Sequence, residues 1–150
     1  MMPVLKVVIP GEPVAQGRPR SFRLPGGGVR AYDPAKSRNW KAEAHIHMAK
    51  AVEEAAGLLV AFPLGPCEAL VTAVFTCPKS DCRRKEPRKR RRHPKRPDAE
   101  NVAKAVLDAG TGVLWADDSQ VARLVVEKWI GAQGERPYVQ IEVRGFGDGA

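Results

Sequence analysis

Between Lys79 and Arg96 the chain carries a charge density that no packed interior can hold. The tract contains 11 of the 25 lysines and arginines and 2 of the 17 acidic residues, a net +9; the rest, 14 basic against 15 acidic, is nearly neutral. Like charges this dense repel and leave nothing to bury. Pro87, Pro94 and Pro97 oppose a basic helix. The expectation is an extended internal loop, with the core supplied by the segments on either side. Such a tract predicts a polyanion partner, since neutralising several phosphates would make binding strong and steeply salt-dependent. Arg83, Arg84, Arg88, Arg90, Arg91, Arg92, Lys95 and Arg96 are the candidate backbone contacts. A solvated loop or a nonspecific RNA patch is the plainer alternative.

Directly after this tract comes RPDAENVAKAVLDAGTGVLWADDSQV, from Arg96 to Val121. Pro97 marks a helix start and Asp98 suits the N-cap. Val102, Ala105, Val106 and Ala109 recur at the i, i+3, i+4, i+7 spacing of a buried face. Glu100, Asn101, Lys104 and Asp108 then share the opposite side, and Glu100, Lys104 and Asp108 stand at successive i, i+4 steps. Ordinary exposed ion pairs would account for that much. Gly110-Thr111-Gly112 ends the helix, with Gly110 or Gly112 free to turn left-handed. Val113 to Ala116 anchors the loop, and Asp117-Asp118 precedes a β-type run. Two adjacent carboxylates repel unless a cation or a set of donors reconciles them. The helix and its return are expected to bring this pair back near Asp98 and Glu100. Hard oxygen ligands given one or two at a time suit Mg²⁺, which keeps its waters and leans on phosphate oxygens.

At these residues the chain resembles the RusA-type Holliday junction resolvases. The shared pattern here reads PDAEN-x2-K-x3-LD, a glycine-containing turn, then DD-x-QV. The opening GEPVAQGRPR and the stretch VRAYDPAKSRNW are similar to longer members of that family. The resemblance implies a small dimeric Mg²⁺-dependent endonuclease that cuts four-way DNA junctions symmetrically, with Mn²⁺ able to substitute. It implies that Asp98, Glu100 and Asp118 bind the metal with Asp117 beside them, and that Lys104 is the catalytic lysine. The family's second position is aspartate, whereas this chain has Glu100, which moves the carboxylate by about one methylene.

At 150 residues the chain is long enough for one domain with a real core. No apolar run suits a membrane span, and no charged-then-apolar leader opens the chain. Cys67, Cys77 and Cys82 form no CxxC pair, which suggests free thiols and a reducing, cytoplasmic setting. Zinc held by Cys77, Cys82 and His93 would match no common spacing. Val4 to Ile9 reads as a first strand. Glu12 to Arg30, rich in Gly, Pro and Arg, reads as a loop or open hairpin in which Arg18 and Arg20 are further DNA-contact candidates and Phe22 and Tyr32 are interleaved. Asp33-Pro34 starts a helix that stops at Gly57, with Trp40, Ala44, His47, Met48, Ala51 and Ala55 as its apolar stripe. Ala69 to Thr76, Val121 to Ile130 and Tyr138 to Val143 read as strands.

The expectation is an α/β (α+β) single domain of about four main strands, largely antiparallel, with two helices on the sheet and a basic loop at 79–96. Its expected partners are branched DNA and a second copy, with no membrane and no small-molecule cofactor. Two other readings share the composition. One is a non-catalytic nucleic-acid-binding protein whose carboxylates merely balance the basic loop. The other is a nuclease for flaps or forks.

Overall fold

The computed structural model describes residues 4–56 and 65–146. In chain order these form β1 (Val4–Pro10), β2 (Arg20–Arg23), β3 (Val29–Tyr32), α1 (Ala35–Ala56), β4 (Cys67–Phe75), β5 (Arg91–Arg92), α2 (Ala99–Gly110), β6 (Val121–Ile130) and β7 (Tyr138–Gly145). A mixed sheet runs β1-β7-β4-β6-β5, and β2 and β3 make a separate hairpin. The α+β class holds, with more strands than the four expected. Antiparallel pairing also gives way at the centre, where β4 and β6 are parallel and α2 lies on the crossover between them. A parallel pair needs such a crossover, and the chain from 76 to 120 supplies it.

Alternation places Leu5, Val7, Ile9, Ala69, Val71, Ala73, Val139, Ile141 and Val143 on one buried face. The register confirms a common side: Ile141 opposes both Val7 and Val71, and Val71 opposes Val126. Both helices share one core with this face. In α1 the buried positions are Ser37, Trp40, Ala44, Met48 and Val52; of the expected stripe, His47 and Ala51 are half-buried and Ala55 is exposed. The predicted stop at Gly57 lies outside the described residues.

In α2 the expected positions Val102, Ala105, Val106 and Ala109 are all buried, joined by Ala103. Gly112, at φ +86°, takes the left-handed turn. Gly110 has a different task. A Cβ there would come within 2.5 Å of the Trp115 ring, which is fully buried and donates its indole N–H to the Leu107 carbonyl at 3.2 Å. Gly110→Ala should therefore destabilise the protein by about 1–3 kcal/mol through overpacking. Urea denaturation checks this, and an unchanged midpoint would mean the ring has room to shift.

Candidate active site

The strap that links β1 to β2 lies along the outer side of α2. Gln16 fixes it: its backbone N–H donates to the Asn101 carbonyl at 2.9 Å. Its side-chain amide donates to Asp33 at 2.6 Å and accepts from Lys41 at 2.9 Å. Lys41 also binds Asp33 at 2.6 Å and reaches Asp108 at 3.4 Å, so one ammonium ties strap, α1 and α2 together. Partial burial pushes the Asp33 carboxyl up, but the bonds from Lys41, Ser37 and Gln16 outweigh it and hold the group below the usual carboxylate range. Stability drawn from this network is present above the unfolded-state value and is lost as pH falls through the lower folded one.

Under the strap runs a groove. At one end a cavity of about 360 Å³ is lined by Asp98, Asn101, Arg18 and Arg96. The adjoining cavity, about 260 Å³, is lined by Lys104, Asp108, Arg18 and Asn101. Asp98 occupies the N-cap position yet makes no side-chain capping bond, so its carboxylate is not spent on the helix. Lys104 is exposed, and among the described residues no ion pair joins it to Glu100 or Asp108. Neither of the i, i+4 pairs offered by the spacing forms among the described residues, and Asp108 instead reaches Lys41.

Asp117 and Asp118 do not return to this end. Trp115 packs under Gly110, and its carbonyl accepts from the Gly112 N–H at 2.7 Å, which leaves the pair beyond the helix C-terminus. From there β6 runs back until the Lys128 ammonium donates to the Lys95 and Pro97 carbonyls, each at 2.7 Å, beside the start of α2. Twelve helical residues place the two ends about 18 Å apart. The expectation that both acidic groups meet within one chain is therefore corrected. Among the described residues no three His, Cys, Asp or Glu side chains gather as a metal site, which also leaves Cys77, Cys82 and His93 without a zinc geometry. Of the two adjacent aspartates, the first is taken up by a capping turn. Asp117 accepts from the Ser119 N–H at 2.8 Å, while Gln120 accepts from the Asp117 N–H at 3.0 Å. The Ser119 backbone bond holds Asp117 below its ordinary range.

Nor is the basic tract a bare loop. Arg91 and Arg92 form β5 against Ile130 and Trp129 of β6. Arg92 stacks 3.7 Å above the Trp129 ring and pairs with Glu127 at 3.2 Å. Arg91 binds Asp81 at 2.6 Å, and Arg90 binds Glu135 and the Tyr138 hydroxyl. Gln133 accepts from the backbone of Arg83 and Arg88, at 2.9 and 3.3 Å. Counter-charges and ring faces from β6, β7 and the turn between them, together with Asp81, thus hold a segment whose like charges oppose folding on itself. Arg83, Arg84, Lys95 and Arg96 remain exposed and make no ion pair among the described residues, as do Arg18 and Arg20.

Two comparisons bear on this geometry. The family model of Endodeoxyribonuclease RusA matches residues 10–144. The chain belongs to the RusA family. A relative from Bacillus subtilis (strain 168), described as the uncharacterized protein YqaN, is 32% identical over 148 residues, covering 95% of this chain and 97% of its own. The RusA match spans the strap, both helices and the central sheet apart from β1, so the groove and both acidic groups lie within it. Membership in RusA places the chain among endodeoxyribonucleases. Sequence reasoning missed the Gln16–Asp33–Lys41–Asp108 network in this RusA fold. Its only trace was that both the strap and the start of α1 lie in stretches with family likeness.

Proposed function

We propose that this chain resolves four-way DNA junctions by paired, symmetric, Mg²⁺-dependent cuts, acting as a two-fold dimer in the cytoplasm. The observation that carries the reading is the groove along α2. There Asp98, whose carboxylate makes no capping bond, and Lys104, without an ion pair among the described residues, share walls with Arg18.

Asp98 and Glu100, one on the N-cap and one in the first turn, supply hard oxygens of the kind Mg²⁺ takes singly or in pairs. One chain therefore fits a partial donor set, to be completed by Asp118 of the second copy, with Asp117 holding the turn in shape. When bound, the ion would lower the pKa of a water and neutralise charge on the phosphate, and Mn²⁺ is expected to replace it. Lys104 contacts the scissile phosphate or helps generate the nucleophile. Arg18 and Arg96 orient the phosphate in the groove. Two opposed strands need two sites, and a two-fold axis provides them.

Incubating the protein with a synthetic four-way junction and a linear duplex, with Mg²⁺ and with a chelator, tests the reading. Symmetric cleavage of the junction alone is expected, and only with Mg²⁺. Equal cutting of the duplex overturns the junction preference. Binding that ignores Mg²⁺, with no cleavage of any DNA, makes the protein a non-catalytic binder.

The structure also separates the roles of the arginines. Replacing Arg83, Arg84 and Lys95 by Ala should flatten the log–log salt dependence of DNA binding, by about 0.9 for each phosphate that is no longer neutralised. Thermal stability should hardly change, because these side chains make no ion pairs. Arg90→Ala should instead cost up to about 1 kcal/mol, since Glu135 and Tyr138 lose a partly exposed partner. An unchanged slope in the triple variant would take the tract off the DNA.

A further inference from the structure

The hairpin β2–β3 contributes none of its strand residues to the hydrophobic core. All eight of its strand residues are exposed, and it forms its own sheet apart from the central one. Phe22 is 46% exposed and Tyr32 42%, with ring centroids 5.9 Å apart. Arg20 pairs with Tyr32 and Phe22 with Arg30, and directly opposed residues share a face. One face is therefore a checkerboard of two aromatic rings and two guanidinium groups.

A diagonal aromatic pair is a common way to steady a hairpin, and this one does so. It does not require four arginines around it. Arg18, Arg20, Arg23 and Arg30 all lie on or beside the hairpin, and no acidic residue occurs between Glu12 and Asp33. The roots are clamped, for Gln16 precedes the first strand and Asp33 follows the second, both bound to Lys41. Beyond the roots the blade is free, its tip turned by Gly26 and Gly27 at φ +102° and +104°. Two such blades would repel each other, which disfavours a second copy as the occupant.

We propose that this hairpin is a stacking platform for unpaired bases at the branch point, with Phe22 and Tyr32 meeting base faces and Arg20 and Arg30 the flanking phosphates. A paired duplex hides its base faces, so the platform reads strand opening and not sequence. It delivers the opened strand toward the groove, since Arg18 lines both cavities and stands two residues before β2. The branch-point part of this proposal rests on the junction-resolving reading, whereas the recognition of unpaired bases does not.

The test compares binding of a 20-nucleotide oligo-dT strand, a duplex of equal length and an immobile four-way junction, all without divalent metal. Against the parent, Phe22→Ala/Tyr32→Ala should lose about five- to a hundredfold on the single strand and the junction, and less than about twofold on the duplex. Phe22→Leu/Tyr32→Leu, which keeps apolar bulk without ring faces, should lose nearly as much, and Phe22→Tyr/Tyr32→Phe should bind like the parent. 2-Aminopurine at the branch point should change fluorescence on binding the parent and not the Ala variant. Equal losses on all three DNAs, or none on the single strand, overturn the proposal. If the parent cuts no junction yet the single-strand arm behaves as stated, the nuclease reading fails and the base-stacking platform stands.

Discussion

Asp98→Asn and Asp118→Asn proteins are each expected to lose junction cleavage by at least about a hundredfold to a thousandfold, and a mixture of the two is expected to regain it in part. The size of the loss follows from removing a ligand of the cation that would neutralise charge on the phosphate and lower the pKa of a water. Binding should persist, because neither carboxylate contributes attraction to a phosphate backbone. The recovery follows from the separation of the two groups. Asp98 sits at the start of α2 and Asp118 past its end, and about 18 Å of helix divides them. In a dimer whose sites join Asp98 of one chain to Asp118 of the other, the mixed species carries one intact site and one that lacks both groups. It should nick one strand and fail to make the paired cut. If both groups served a site within one chain, every chain in the mixture would be defective and no nick would form. Remixing the purified variants through mild denaturation, then running single-turnover cleavage on a labelled junction, separates the cases. Activity no higher than that of the separate variants sinks the two-chain site.

What could be read from the residues, and what could not, divides along the range of the interactions. Local periodicity located α2, β6 and β7 because a 3.6- or 2-residue repeat records a neighbouring core directly. The direction of the chain after α2 was not local. It depends on Gly110 leaving room for Trp115, so the loop folds under the helix end and β6 departs from there. Composition alone made the basic tract a loop, since its partners Glu127, Trp129, Glu135 and Tyr138 lie 35 or more residues onward, on β6, β7 and the turn between them, which had yet to be placed beside it. Parallel pairing of β4 with β6 was hidden for the same reason. The α1 stripe left out Val52, which is buried, and ran on to Ala55, which is exposed. The chemistry-bearing residue types of α2 were legible at once. How they are deployed was not: Asp108 faces Lys41 on another helix, and Lys104 is left without an ion pair.

Glu100→Gln is expected to lose most of its cleavage, by about a hundredfold, while Glu100→Asp keeps a measurable rate. Glu100 lies in the first turn of α2, exposed, beside the uncapped Asp98. A hard cation requires the charge, whereas a shift of about one methylene can be absorbed by a partly hydrated ion. The alternative is that Glu100 serves the helix, as an i, i+4 partner of Lys104 or as a favourable charge at the positive end of the dipole. The first option has lost its ground, because no ion pair joins the two among the described residues. The second would cost Glu100→Gln about 0.3–1 kcal/mol of stability and leave the rate alone. Single-turnover cleavage at saturating enzyme, measured with the unfolding midpoint of each variant, distinguishes them. A Glu100→Gln rate within about threefold of the parent, with a lowered midpoint, would remove Glu100 from the metal site and leave Asp98 as the only carboxylate that α2 brings to it.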